Sequence, residues 1–458
     1  MIEYDVVVIG SGSGMTAVDG ALSNGLSVAL VDHGPIGGTC LNLGCIPSKM
    51  IIYPADRVVE IQEAQKLGIS AKIEKTDFSG IMKRMRSSIE HSRKHMEKAI
   101  EQVPNLDFYK ETGRFTDNYT LQVGNETIKG KKYFIAAGAR PIIPPLDGLE
   151  SCKYLTNESV FGLRKKPKSL VIIGGGYIAA EFGHFFAAMG TKVTILQRGS
   201  RMLTSEEPEI SDLLMKKLGE RMTIETNTEA TEVHCDKNGY NVVGNKKSGD
   251  QFEVFSEQFM VAAGRQSNAD ILQVEKTGVQ INEQGYIIAN DFLETNKKNI
   301  WAWGDVTGRA MFRHSANVES DIAWHNSVHK KKVKMDYRVI PHAVFSYPQI
   351  ASVGLSQSEA ANNYDILVGI AHYSDVAKGE AMQEYDGFAK AIVEENSGRI
   401  LGFHIIGPYA PILIQEVIDI MSLHGIVSHL GHGMHIHPAL SELVTAAFGR
   451  LQKPEKKV

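Results

Sequence analysis

Cys40 and Cys45 lie in the run Gly37-Gly38-Thr39-Cys40-Leu41-Asn42-Leu43-Gly44-Cys45-Ile46-Pro47-Ser48-Lys49. On an ideal helix, residues five apart are separated by ~7.5 Å of rise and ~140° of turn, a Cα separation of roughly 8.6 Å. A disulfide tolerates only about 4.4–6.8 Å. If these two sulfurs bond, the backbone between them is distorted, and Gly37, Gly38 and Gly44 supply the freedom for it. A position at the start of a helix also depresses a thiol pKa through the helix dipole, which suits a thiol that attacks as thiolate. Zinc is the chemical rival. A closed site needs about four ligands, and the two remaining cysteines, Cys152 and Cys235, stand alone in sequence. Redox chemistry is therefore the expected use of the close pair, and ordinary buried or surface thiols the expected state of the other two. His429, His432, His435 and His437 also cluster. Interface or solvent-facing histidines are expected there rather than a metal site.

Two similar units must position this chemistry. In the first, an apolar strand over residues 5–9 runs into a glycine-rich turn, a helix to about 23 and a second strand over 26–31 ending at Asp32. In the second, a strand over 170–173 precedes Gly174, Gly175 and Gly176, a helix to about 189 and a strand over 192–196. Strand before, helix after and a second strand ending about 20 residues on is the grammar of a dinucleotide site. Gly10 and Gly12 let backbone N–H groups approach a pyrophosphate at the positive end of the helix, and Asp32 is placed for ribose hydroxyls. The usual third glycine position holds Met15, with Gly14 just before it, so close helix-to-strand packing must be arranged differently there. The second unit has Gly174, Gly176 and Ala179. Its second strand ends in Gln197-Arg198 rather than an acid, so nothing repels a 2′-phosphate and Arg198 could pair with one. NADPH is favoured over NADH on that ground, against the alternative that Arg198 and Arg201 are surface cations.

The rest of the chain fits a large globular protein. Its 458 residues suggest about three domains, and 43% are apolar and 22% charged. Forty-nine Lys and Arg against 53 Asp and Glu give a net charge of −4, too balanced for a nucleic-acid or anionic-membrane binder. No stretch approaches the ~20 apolar residues of a membrane span, and the N-terminus lacks signal-peptide features, so a cytoplasmic location is expected. Residues 78–102 read as a charged helix with a solvated face, and the 330–334 lysine run as a surface loop. Alternating runs at 343–347, 388–393 and 400–406 suggest an antiparallel sheet with flanking helices in a third, non-nucleotide domain.

These residues, taken together, resemble the flavoprotein disulfide reductases nearly end to end. The resemblance rests on GGTCLNLGCIPSK at 37–49, GGGYIAAE at 174–181, VAAGR at 261–265, WGDV at 303–306 and HPALSE at 437–442. It implies an α/β fold of two Rossmann-like dinucleotide-binding domains plus an α+β dimerisation domain: residues 1–148 and 269–336 for FAD, 149–268 for NAD(P) and 337–458 for the interface. It further implies that FAD meets Gly10, Gly12, Asp32, Gly38, Thr39, Gly113, Gly138, Asp305, Met311 and His314, with Lys49 near the flavin and Glu181 as its ionic partner. NADPH or NADH would meet Gly174, Gly176, Ala179, Glu181, Gln197, Arg198 and Gly264. By the same resemblance Cys40 and Cys45 form the redox disulfide. Cys45 is then the thiol beside the flavin and Cys40 the interchange thiol, with His437 and Glu442 an acid–base dyad reached across a homodimer. GSGSG without the third glycine, AAEFGHFFAAMG, RHSANVES and GEAM lean towards mycothione reductase-like sequences, while RLQKPEKKV has no C-terminal cysteine pair of the mercuric reductase kind. The activity implied is reduction of a low-molecular-weight disulfide. Alternatives are dihydrolipoamide dehydrogenase, with a 2-oxoacid dehydrogenase complex as partner, then mercuric reductase or a non-catalytic flavoprotein subunit.

Overall fold

A computed structural model describes residues 1–454 and shows a mixed α/β architecture built from several separate sheets. In the first unit, β1 (Ile2–Ile9) leads through the glycine turn into α1 (Met15–Ser23) and β2 (Val28–Val31). Then follow α2 (Gly38–Leu43), α3 (Cys45–Glu63) and α4 (Phe78–Ile100). Strands β3 (Leu106–Tyr109), β4 (Gly113–Asp117), β5 (Thr120–Val123) and β6 (Glu126–Ile135) complete the first stretch of the sheet. The order is β3-β2-β1-β6-β5-β4, parallel from β3 to β6 and antiparallel beyond. Every residue of β2 and the last four of β1 are buried, as expected of parallel strands covered on both faces. Met15 at the usual third glycine position changes little, because the close approach falls one residue earlier. A Cβ on Gly14 would lie 2.1 Å from the Gly10 carbonyl oxygen and 2.8 Å from Val8 Cγ1.

The second unit repeats the pattern with β7 (Ser169–Ile173), α5 (Tyr177–Ala188), β8 (Lys192–Leu196), α6 (Pro208–Gly219) and β9 (Thr223–Glu225). An antiparallel excursion, β10 (Thr228–Asp236), β11 (Gly239–Lys246) and β12 (Gln251–Ser256), precedes β13 (Gln258–Val261). The parallel sheet runs β9-β8-β7-β13. The chain then returns to the first unit. Strand β14 (Ile300–Ala302) pairs in parallel with β6, and α7 (Arg313–Val328) follows. The last region is an antiparallel sheet of β15 (His342–Val344), β16 (Ile350–Gly354), β17 (Ile366–His372), β18 (Phe388–Glu394) and β19 (Ile400–Ile406), with the helix α8 (Glu442–Phe448) packed on it.

One apolar core crosses the junction between units. Ile51, Ala55 and Val59 of α3 and Met82 and Met85 of α4 pack with Ala179, Phe182, Phe185 and Phe186 of α5. The helix carrying Cys45 is thereby set against the helix that opens the second nucleotide turn. The expected solvated face of α4 holds only in part, since Phe78, Met82, Met85 and Ile89 are buried and Arg86 Nη1 donates to the Phe161 and Leu163 carbonyls. Lys332 and Lys334 lie in a loop, paired with Glu294 and Asp291.

The expectation of two ordinary thiols is corrected: Cys152 and Cys235 form a disulfide. The segment before Cys152 runs alongside β10, with Asp147 N donating to the Thr231 carbonyl and Val233 N to that of Asp147. This brings two cysteines 83 residues apart to a Cα separation of 5.8 Å. Among the described residues no helix is long and apolar enough to cross a membrane.

Candidate active site

The redox run does not form one continuous helix. Gly44 breaks it at φ −143°, ψ −118°, between α2 and α3. A Cβ there would meet the Thr39 carbonyl oxygen at 2.9 Å and Cys40 Cα at 3.3 Å, so the break and the close approach of the two cysteines are one feature. Cys40 sits in α2 and Cys45 opens α3, both as free thiols. They share a hydrogen bond, and it divides them. The Cys45 thiol is lowered to about 6 by the hydrogen bond from Cys40 and, against the cost of burial, by the Lys49 cation. The same hydrogen bond and burial raise Cys40. The reduced pair therefore holds its negative charge on Cys45 and its proton on Cys40.

Lys49 lies one turn along α3 from Cys45. Its Nζ donates to both carboxylate oxygens of Glu181 on α5, at 2.9 and 2.8 Å, and sits 4.5 Å from the Phe345 ring centroid. Glu181 Oε1 also accepts from Phe345 N at 3.0 Å. The expected Lys49–Glu181 pair is thus present and anchored to the segment after β15.

Both cysteines open into a cleft of about 500 Å³ that also reaches Gly10, Gly12, Asp32, Gly38, Thr39, Gly113, Gly138, Asp305 and Met311. The residues fit an adenine dinucleotide. Gly10, at φ +106°, admits no Cβ, since one would lie 2.2 Å from the Ala136 carbonyl oxygen. The turn therefore stays bare at the α1 N-terminus, where an anion is favoured. Asp32 Oδ2 accepts from Ser11 N at 2.7 Å and Ser11 Oγ at 2.6 Å, and Oδ1 from Gly34 N at 2.9 Å. A carboxylate has about four acceptor positions, so one remains for a hydroxyl. Burial raises the Asp305 carboxyl, with Arg265 Nη2 3.5 Å away. His314 is not among the residues lining the cleft. It stacks on Phe312, and its Nε2 meets the Pro341 carbonyl at 2.7 Å.

Gly174, Gly176 and Ala179 occupy the second turn and the start of α5, which presents Tyr177 and Glu181 to the cleft. Gln197 packs over Gly175 and donates to the Arg201 carbonyl at 2.8 Å. Arg201 is committed to Asp212, at 2.7 Å. Arg198 is exposed. Gly264 takes φ +126° beside Ile142.

His437 Nδ1 lies 2.9 Å from Glu442 Oε1, and Glu442 Oε2 accepts from Ala439 N at 3.0 Å. That backbone N–H first, and His437 second, hold the Glu442 carboxyl below its ordinary range. The dyad is formed, yet the His437 side chain is 72% exposed and is not part of its own chain's cleft. Two of the other clustered histidines have polar partners, His429 Nδ1 accepting from Ile426 N and His435 Nε2 meeting Glu416 at 2.7 Å, and His432 packs edge-on against the His429 ring. Among the described residues no group of three His, Cys, Asp or Glu could hold a metal ion.

Among the cleft residues that escaped assignment from sequence are Tyr177, Arg265 and Arg313. All three stand in the quoted motifs, next to residues that were singled out. Position beside a glycine or at a helix start was the available signal.

Residues 4–320 match the pyridine nucleotide-disulphide oxidoreductase family and 340–448 its dimerisation domain. The chain is 35% identical to mycothione reductase of Mycobacterium tuberculosis, over 98% of this chain and 99% of that one. It is 31% identical to a mercuric reductase of Staphylococcus aureus, over 89% and 75%, and 32% identical to dihydrolipoyl dehydrogenase of Chlamydia pneumoniae, over 96% and 95%. The HOCl-induced flavoprotein disulfide reductase RclA from Escherichia coli superposes with a TM-score of 0.86 at 29% identity, over 97% and 99%. With both regions matched, the chain belongs to the pyridine nucleotide-disulphide oxidoreductases, FAD-dependent enzymes that use NAD(P)H and act on disulfides.

Proposed function

We propose that the chain reduces a low-molecular-weight disulfide with NADPH, as a homodimer whose Cys40–Cys45 pair cycles between dithiol and disulfide. The observation that carries this reading is the placement of the Lys49 cation one turn along α3 from Cys45 and held by Glu181, which favours the thiolate on Cys45 and leaves the shared proton on Cys40. Cys45 is the stable thiolate and Cys40 keeps its hydrogen. Only a thiolate attacks a disulfide, so Cys40 needs a base. His437 fits that role, with Glu442 holding its Nδ1–H and leaving Nε2 to take the proton and return it to the departing thiol. Because the dyad is exposed and outside its own cleft, it serves the other subunit.

FAD, when bound, supplies the two-electron carrier between nicotinamide and disulfide. Gly10 and Gly12 would hold its pyrophosphate, Asp32 its ribose and Asp305 the chain next to the flavin, with Gly38, Thr39, Gly113, Gly138 and Met311 around it. The boundaries at residues 148, 268 and 336 divide the chain accordingly. Gly174, Gly176, Ala179, Gln197 and Gly264 would receive the nicotinamide dinucleotide. Arg198 favours NADPH, being an exposed cation at the end of β8, where an acid would repel a 2′-phosphate.

A steady-state panel of oxidised mycothiol, lipoamide, glutathione disulfide, coenzyme A disulfide and Hg²⁺ with each nicotinamide tests the substrate. A small-thiol disulfide with NADPH is expected to lead. Dihydrolipoamide-dependent reduction of NAD⁺ far above every other rate would overturn that choice in favour of dihydrolipoamide dehydrogenase, which the similarity to dihydrolipoyl dehydrogenases supports as the second reading. Cys45→Ser is expected to keep FAD and lose disulfide turnover, and full turnover in that variant would remove the dithiol relay.

A further inference from the structure

The stripe of α3 that begins with Cys45 and Lys49 continues at helical spacing through Ile52 to Asp56. Asp56 is 6% exposed. It faces His184, fully buried on α5 one turn beyond Glu181, whose Nε2 lies 2.9 Å from Asp56 Oδ1. On the other side of the ring Arg221, just past α6, presents Nη1 to His184 Nδ1 at 3.1 Å. Its second nitrogen, Nη2, donates to the Tyr347 carbonyl in the turn between β15 and β16. Tyr347 stacks on the imidazole at 6.0 Å between ring centroids and donates from its hydroxyl to Glu63, again on α3.

The donor and acceptor pattern admits one state of the ring. A guanidinium has only N–H donors, so Nδ1 must accept and Nε2 must carry the hydrogen given to Asp56. A protonated imidazole would set an N–H against the guanidinium. Burial, which lowers the His184 pKa, acts in the same direction. Glu181 is the remaining charge that the ring senses. The result is a polar line, Asp56–His184–Arg221–Tyr347, buried at Asp56 and His184 and half-buried at Arg221 and Tyr347, that runs from the redox helix through the second nucleotide unit to the C-terminal sheet, two turns of α3 below Lys49.

We propose that His184 is a positioning residue for the dithiol: as a neutral bridge it holds α3 in register against α5, so that Lys49 stays on Glu181 and beside Cys45. This rests on the function proposed above. Cys45 itself faces Cys40, Lys49 and Glu181, so any slip of α3 moves the cation relative to the sulfur. No motif quoted for the resemblance assigns a role to His184.

The test compares wild-type holoenzyme with His184→Gln, whose amide can both accept from Arg221 and donate to Asp56, and with the double variant Asp56→Leu/His184→Met, which removes the Asp56–His184 pair and leaves Arg221 its bond to the Tyr347 carbonyl and the charge of Glu63. Four quantities are read: thermal melting, NADPH–ferricyanide turnover, hydrogen exchange of the 45–63 amides, and the pH midpoint of the long-wavelength band given by the Cys45 thiolate beside reduced-state flavoprotein. The double variant is expected to melt as a folded protein, to keep ferricyanide turnover within about twofold and to exchange 45–63 about tenfold faster. Its midpoint should move up by about one pH unit, with disulfide turnover at least about tenfold lower. His184→Gln should restore all of these to within about twofold. A folded double variant with the wild-type midpoint and exchange overturns the proposal, as does a Gln variant no better than the double one. A double variant that does not fold also overturns it, because the line then carries the fold rather than the register. If the wild type shows no such band, the disulfide-reductase reading falls, and the exchange rates alone decide the role of His184.

Discussion

A dithiol is useful only if its two sulfurs differ, and here the difference is set by one lysine and one hydrogen bond. Lys49 sits a turn beyond Cys45 on the same helix, where its charge favours the nearby thiolate, and Glu181 keeps the ammonium in place. Lys49→Met removes the cation and leaves Glu181 as a nearby negative charge, so both changes act upward on Cys45. Its midpoint, near 6 with Lys49 present, is expected to rise by about 1–2 pH units. At pH 7 about half to nine-tenths of the thiolate would then be protonated, and it would return as pH rises through the new midpoint. A pH titration of the thiolate–flavin band in the reduced variant checks this; a midpoint unchanged from wild type would show that Lys49 does not set the charge. The pair itself was legible in the chain because everything it needs is local: two cysteines, a breaking glycine and a helix start within ten residues. The Asp56–His184–Arg221 line was not, since its members come from three separated segments and none has a distinctive neighbour. The Cys152–Cys235 disulfide was missed for the same reason. Sequence spacing of 83 residues carries no sign of a strand and a linker lying side by side.

At the scale of elements, the cleft is built from places where side chains are missing. Gly38, at φ +65°, opens α2, and a Cβ on it would lie 2.8 Å from Gly12 Cα and 3.0 Å from Gly12 N. The turn before α1 and the start of α2 therefore touch backbone to backbone, and the proposed dinucleotide site lies along that seam. Gly38→Ala combines a left-handed backbone with that contact, a strain of about 1–3 kcal/mol, which the loop can relieve only by separating the two helix starts. The variant is expected to fold and to purify with well under one FAD per chain, as read by the ratio of flavin to protein absorbance. Full flavin occupancy would mean the seam is not the site. The strand–turn–helix–strand units were readable because their apolar runs and glycines recur in order, and observed and expected strand ends agree within about three residues. In the last sheet the runs expected at 388–393 and 400–406 match β18 and β19 to within one residue, and the run at 343–347 overreaches β15. Residues 345–347 continue the alternation of β15 but leave it, because Phe345 N is drawn to Glu181 and the Tyr347 carbonyl to Arg221.

Over the whole molecule, charged residues buried between units hold the second nucleotide domain to the C-terminal sheet. Lys390 of β18 is 1% exposed and pairs with Glu207, itself 1% exposed, and with Glu209, both at the start of α6. Breaking such a pair costs more than removing it, since the survivor keeps an uncompensated buried charge. Lys390→Met is expected to lose about 3–5 kcal/mol of stability, and Lys390→Met/Glu207→Leu to recover most of it, as measured by denaturant unfolding. Equal losses in the two variants would mean the pair itself contributes the stability.

The same C-terminal region carries the dyad away from its own cleft, which makes a statement about assembly. If Cys40 of one subunit works with His437 of the other, then Cys40→Ser and His437→Ala subunits are each inactive alone but complement each other. A mixed dimer has one site with both defects and one with neither. Random reassociation of equal amounts should therefore restore about a quarter of the wild-type disulfide turnover, because half the dimers are mixed and each has one intact site of two. If each chain used its own histidine, every site in the mixture would carry one defect and no turnover would return. Purifying differently tagged mixed dimers and counting active sites per dimer separates the outcomes: one in the first case, none in the second. The exposure of His437 beside a carboxylate that already orients it is the reason to expect one. A base so placed, with its tautomer fixed and its reactive nitrogen turned to solvent, has work only on a surface that another subunit brings to it.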